Sequence, residues 1–150
     1  MRISVQTEDF DAGAELAQMR LAHPEVGALV SFVGQVRDLN DGAMVSGMHL
    51  EHYPGMTEKA LTGIASQAMQ RWELADALVI HRYGDLKPLD QIVLVVVASA
   101  HRQAAFAACE FIMDYLKTEA PFWKKESTPE GERWVDAKEI DEAAKNRWNR

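Results

Sequence analysis

The sequence has 150 residues, 47% of them hydrophobic and 26% charged, enough for one globular domain with a real core. A net charge of −7 argues against a general nucleic-acid binder, whose affinity rests on neutralising phosphates, but leaves room for a local basic pocket. The single cysteine, Cys109, allows no intramolecular disulfide, the N-terminus lacks the apolar core of a signal peptide, and the longest apolar run, Ile92 to Ala98, is too short to span a bilayer. The expectation is a cytoplasmic protein, residues 1–150 forming one domain.

Arg2 to Gln6 alternates like a short strand. Thr7 reads as a helix N-cap, with Phe10, Ala14, Leu16, Ala17 and Leu21 as the apolar face up to His23-Pro24. Val26 to Val36 is a long β-rich run ending in Arg37-Asp38. Asn40-Asp41-Gly42 then supplies a turn, and Met44 to His52 is the expected hairpin partner. Gly27 and Gly34 inside the first strand suggest bulges or close backbone approach. His49 and His52 fall on opposite faces of a strand with no cysteine near, a poor metal pair.

Pro54-Gly55 opens a second helix that buries Met56, Ala60, Leu61, Ile64, Ala68, Met69 and Trp72. Ala77 to His81 is a strand, Tyr83 to Pro88 a loop, and Gln91 to Ser99 a strand. The unbroken run Ile92 to Val97 implies burial on both faces. His81-Arg82 reads as a structural hydrogen-bonding pair at a strand end.

The third helix is the element around which the rest is organised. Ala105, Phe106, Cys109, Ile112, Met113 and Leu116 mark one core face, and Ala104, Ala108, Phe111 and Tyr115 a second. Only Gln103, Glu110, Asp114 and Lys117 form a polar stripe. Ser99 is the expected N-cap, placing His101 and Arg102 in the first turn beside free N–H groups, a setting suited to an anion. Pro121 ends the helix. Phe122 to Glu126 continues extended, with Lys124 on the face opposite Trp123 and Lys125. The plainer readings are a solvated Arg102, a strand-end Arg37 and a Lys117 paired with Asp114. Cys109, among apolar residues, reads as core and not as a nucleophile.

Glu130-Gly131 makes a turn, and Arg133-Trp134-Val135 a strand pairing with Trp123-Lys124-Lys125. Residues 136–150 form a polar tail expected to dock on a partner or fray. The order β-α-β-β-α-β-β-α-β-β is an α+β pattern.

Five motifs carry a resemblance: Phe32 to Asp38 (FVGQVRD), Leu50 to Met56 (LEHYPGM), His81 to Leu86 (HRYGDL), Ser99 to Arg102 with Ala105-Phe106, and Leu116-Lys117 followed by Ala120 to Glu126 (APFWKKE). In this order and spacing the chain resembles the large, catalytic subunit of molybdopterin synthase, from about Gly27 to Lys138. Gln35 departs from the threonine more usual there. The resemblance implies an α/β-hammerhead-like domain with a small additional antiparallel β subdomain. It also implies a homodimer that binds two copies of a small ubiquitin-like protein ending in Gly-Gly, a heterotetramer. The tail of that partner, carried as a thiocarboxylate, supplies sulfur in two steps to cyclic pyranopterin monophosphate, forming the dithiolene of molybdopterin. No cofactor and no metal are expected.

By the same resemblance Lys117 and Lys124 are the catalytic lysines. Gln35, Val36, Arg37, His101, Arg102, Lys125 and Glu126 join them in substrate binding. From Ser99 to Lys117 a helix runs roughly 27 Å at 1.5 Å per residue, too far for one pterin phosphate. The expected arrangement is therefore composite, with Arg37, Lys117 and Lys124 from one subunit and His101 and Arg102 from the other. A non-catalytic module binding a Gly-Gly tail or a phosphorylated ligand is the alternative. It would not need both lysines.

Overall fold

The computed structural model describes residues 1–135 and 139–149. Its first sheet has the order β1 (Arg2–Gln6), β6 (Asp76–Arg82), β8 (Gln91–Ser99), β2 (Ala28–Gln35). β1 runs parallel to β6, and the other pairings are antiparallel. The run of valines in β8 is buried on both faces as expected. Val93, Val95 and Val97 face a core shared with helices α2 (Met56–Arg71) and α3 (Arg102–Glu119), while Leu94, Val96 and Ala98 face Met19 of α1 (Ala12–Ala22). β6 divides the same way, Ala77 and Val79 to one side, Leu78 and Ile80 to the other. The period of two thus sandwiches this sheet between helices.

The second sheet is antiparallel, in the order β10 (Gly131–Val135), β9 (Phe122–Thr128), β5 (Gly47–His52), β7 (Gly84–Leu86). The α+β reading and the additional antiparallel β element are borne out. Within β9–β10 the register is one residue off the expected pairing: Arg133, Trp134 and Val135 face Glu126, Lys125 and Lys124.

The long hairpin is corrected. β2 pairs with β8, whereas β5 lies in the other sheet between β9 and β7. A bulge at Gly34/Gln35 takes the chain out of the first sheet, and Val36 then exchanges backbone hydrogen bonds with the 89–90 turn. The expected turn does form, with Asp41 (φ 51°) and Gly42 (φ 77°) in the left-handed region. It closes only the short strands β3 (Leu39–Asn40) and β4 (Ala43–Met44). Both glycines of the first strand have the expected tight surroundings. A Cβ on Gly27 would lie 2.5 Å from the Ala100 carbonyl oxygen, and one on Gly34 2.8 Å from Val93.

Two N-caps move. α1 is capped by Asp11, which accepts from the Ala14 N–H, and not by Thr7. Arg82 Nε takes the Thr7 carbonyl (3.1 Å) and Gln91 Nε2 that of Phe10 (2.9 Å), so residues 7–10 stay outside the helix. Ser99 is the last residue of β8, opposite Ala28, and α3 starts two residues beyond the expected point, with His101 in the cap position. Ser99 Oγ accepts from the His101 N–H (3.4 Å), a turn that ends the strand and does not cap the helix. Phe106, expected in the core, is 62% exposed.

The tail docks within its own chain where it is described. In α4 (Glu139–Asn146) and the following 3-10 helix (Arg147–Asn149), Arg147 pairs with Glu110 and Asp114, and Trp148 Nε1 donates to Asp114 (2.7 Å). The Trp148 ring packs edge-on against Trp72 and Phe111. Residues 136–138 and 150 of the expected tail lie outside the described residues. No described helix is long and apolar enough to cross a membrane.

Candidate active site

A cavity of about 330 Å³ opens between the β2 edge of the first sheet, the C-terminal end of α3 and the inner face of β9. Each chemical group reaches it for a local reason. Lys117 lies in the last turn of α3, where a cation suits the helix dipole. The helix stops at Glu119 before Pro121, and Thr57 secures that corner. Its hydroxyl donates to the Pro121 carbonyl (3.1 Å) and accepts from the Tyr53 N–H (3.0 Å). The period of two in β9 then turns Phe122, Lys124 and Glu126 inward and leaves Trp123 48% exposed. Gln35 sits at the β2 bulge and Arg37 just beyond it, both on the cavity wall.

Electrostatics distinguish the site from the acidic surface. Burial, and after it the charge of the neighbouring Lys117, lower the Lys124 pKa to about 8. Asp114 does not pair with Lys117; it is occupied by Arg147 and Trp148.

His81 also lines the cavity, stacked on Phe122 at 3.7 Å between ring centroids. Burial above all, with further pressure from Lys124 and Lys117, pushes its pKa down to about 3. The neutral ring donates from Nδ1 to the Arg82 carbonyl (2.8 Å), which leaves Nε2 as an acceptor. The expected structural pairing of His81-Arg82 holds, but the cavity position of His81 went unread. Its signal was strand parity, since Ala77, Val79 and His81 share one face of β6. Asn40 and Asp141 were missed as well. Asn40 arrives through a turn whose partners lie far off in sequence, and Asp141 through a tail expected to dock on a partner or fray.

Glu126 is 2% exposed. Its carboxylate accepts from Asn40 Nδ2 (3.1 and 2.9 Å) and from Arg133 (3.2 and 3.3 Å), so its oxygens are engaged within the protein. Val36 is fully buried beside the cavity. Lys125 lies on the opposite face of β9, paired with Glu132 (3.1 Å) and 5.3 Å from the Trp134 ring centroid. His101 and Arg102 are exposed at the far end of α3, away from the cavity. The helix start carries no side-chain cap. Along α3 the rise from Arg102 to Lys117 is roughly 23 Å at 1.5 Å per residue.

Cys109 is 5% exposed in the core, and burial raises its thiol pKa to about 11. It offers no thiolate to the cavity. Among the described residues no group of three or more His, Cys, Asp or Glu side chains is placed to hold a metal. The cavity is therefore equipped to hold an anion, and to stabilise or protonate developing negative charge, with a partly buried lysine pair.

The family model described as MoaE protein matches residues 5–119. The molybdopterin synthase catalytic subunit of Ralstonia nicotianae is 68% identical over 97% of this chain and 83% of its own. That of Escherichia coli is 54% identical over 98% and 97%. Among solved structures, the molybdopterin biosynthesis MoaE protein of Burkholderia ambifaria superposes with a TM-score of 0.85 at 59% identity, covering 99% of this chain and 98% of that one. A chain from a protein-protein complex of subunits 1 and 2 of the Helicobacter pylori molybdopterin-converting factor shares the fold at a TM-score of 0.72 and 21% identity, covering 91% and 90%. The cavity lysines, the two-sheet fold and these similarities agree: the chain belongs to the MoaE family, that of the molybdopterin synthase catalytic subunits.

Proposed function

We propose that this chain, as the catalytic subunit of a molybdopterin synthase, transfers sulfur to cyclic pyranopterin monophosphate from the C-terminal thiocarboxylate of a small ubiquitin-like partner. The observation that carries the reading is the pairing of Lys117 and Lys124 in one cavity of a chain whose only thiol is buried. The sulfur is supplied from outside. The partner's Gly-Gly tail enters the cavity and its anionic end meets the lysines. The thiocarboxylate sulfur bonds to a side-chain carbon of the pterin as that carbon's oxygen substituent leaves; water then cleaves the acyl–sulfur bond, so that the partner leaves as a carboxylate and the pterin keeps the sulfur as a thiolate. A second partner molecule repeats the step and completes the dithiolene. Lys124, with its lowered pKa, holds the anion and exchanges a proton as charge develops on the acyl oxygen.

The phosphate of the substrate requires a second anion site. His101 and Arg102 at an uncapped helix start suit it, but within one chain they stand a helix length away. The reading therefore places two copies of the chain about a twofold axis, each supplying its helix start to the other's lysines. With two sulfur carriers the assembly is a heterotetramer. A single buried thiol fits a reducing cytoplasm.

The test is reconstitution from the purified chain, the thiocarboxylated partner and cyclic pyranopterin monophosphate, with dithiolene product as the readout. Product should form in proportion to thiocarboxylate supplied and not with the plain carboxylate partner. Tail binding without sulfur transfer would make the chain a non-catalytic binding module.

A further inference from the structure

We propose that Asn40 is a positioning residue that aims the Arg37 guanidinium into the cavity, held by Glu126 and Arg133 behind it. The proposal rests on the reading above that Arg37 contacts the anionic substrate. Arg37 itself is exposed, and a long cationic side chain in solvent samples many rotamers. One of its amino groups, Nη2, donates to Asn40 Oδ1 at 2.8 Å.

The orientation of that amide is not arbitrary. Asn40 Nδ2 donates to both carboxylate oxygens of Glu126, at 3.1 and 2.9 Å. A carboxylate only accepts, so the amino end must face Glu126 and the carbonyl end must face Arg37. Asn40 is 8% exposed and Glu126 2%, which removes water as a competing partner.

Arg133 closes the arrangement from β10. Its Nη2 donates to the Asn40 backbone carbonyl (2.9 Å) and to Glu126 Oε1 (3.2 Å). It thereby balances the buried carboxylate and fixes the backbone that carries the amide. The left-handed Asp41-Gly42 turn that follows pairs Asn40 with Ala43 and so fixes the strand end that carries the amide. A carboxylate so close to Lys124 would weaken an anion site if its charge were unspent. Here the charge is consumed in orienting a neutral amide, and the cavity gains an aimed guanidinium.

A role limited to holding the turn would lower stability and reduce every kinetic constant together. A positioning role acts on pterin binding and only through Arg37. Steady-state kinetics with saturating thiocarboxylated partner should compare the unaltered chain with Asn40→Ala, Arg37→Ala and the double variant. Asn40→Ala should raise KM for cyclic pyranopterin monophosphate roughly tenfold, the loss of one bond to a charged group, with kcat within about twofold. The double variant should be no worse than Arg37→Ala alone. Asn40→Leu, close in size but with no acceptor for Arg37, should show the same KM effect and serves if the alanine variant does not fold. Multiplicative effects in the double variant, or an unchanged KM in Asn40→Ala while Arg37→Ala raises it, would overturn the positioning role alone. An unchanged KM in Arg37→Ala would overturn the reading of Arg37 and the proposal with it.

Discussion

Lys117 and Lys124 line the same cavity, and burial together with the neighbouring Lys117 charge lowers the Lys124 pKa from 10.5 to about 8. Lys124 is therefore cationic below that pH and loses its proton as pH rises through about 8. An entering anion stabilises the charged form. kcat/KM, which reports the free enzyme, should fall as pH rises through about 8. A rising limb at that pH would make neutral Lys124 the active form and contradict the anion-holding role.

Lys124 sets function against stability. Its folded pKa lies below its ordinary value, so between about 8 and 10.5 the unfolded chain binds more protons and stability rises with pH. At neutral pH the buried ammonium burdens the fold. Lys124→Met should lower turnover by roughly 10²–10⁴, the range for a positioned acid–base group, yet raise Tm at pH 7 and flatten the gain in stability from pH 8 to 10.5. Lys117→Ala should lose turnover similarly with little change in Tm, because Lys117 is exposed. A drop in Tm for Lys124→Met would contradict the burial argument.

His81 titrates in the opposite pH range. Its folded pKa of about 3 lies below the ordinary 6.5, so the unfolded chain takes up a proton that the folded chain refuses. Stability is complete above about pH 6.5 and declines as pH falls toward 3. Chemical denaturation at pH 7 and pH 5 should show a smaller loss for His81→Gln than for the unaltered chain. Equal losses would mean that the buried ring is not held neutral.

The β8–α3 corner depends on close backbone approach at Gly27. Its N–H donates to the Ser99 carbonyl (3.1 Å), and a Cβ there would press on the Ala100 carbonyl at 2.5 Å. Gly27→Ala should destabilise by about 1–3 kcal/mol, the usual cost of overpacking. Gly63 is an exposed mid-helix position of α2 with nothing within 4 Å of a Cβ. Gly63→Ala should stabilise by about 0.5–1 kcal/mol. Denaturant midpoints on the two variants check the contrast.

Local pattern made the strands, the helices and the inward face of β9 legible. The alternation around Trp123, Lys124 and Lys125 separates the cavity lysine from the outward one, and the valine run of β8 shows a strand covered twice. Pairing was less legible. A turn as strong as Asn40-Asp41-Gly42 suggests a long hairpin, and nothing local shows that the Gly34 bulge has already diverted the chain between sheets. Competition among hydrogen-bond partners was illegible too. Thr7 and Ser99 are good caps by type, but Arg82 and the β2 pairing take their segments first. The Asn40–Glu126 contact joins residues 86 apart, and no spacing rule reaches so far.

The central claim is that sulfur transfer takes place at a site built by two copies of the chain, the lysines of one beside the helix start of the other. Lys117→Ala and Arg102→Ala chains, each inactive alone, should be mixed and allowed to exchange subunits, with dithiolene formation measured under saturating thiocarboxylated partner. In a mixed dimer one site carries both lesions and the other none, so random pairing should restore about a quarter of the unaltered activity. Mixed dimers that demonstrably form but recover no activity would contradict the shared site.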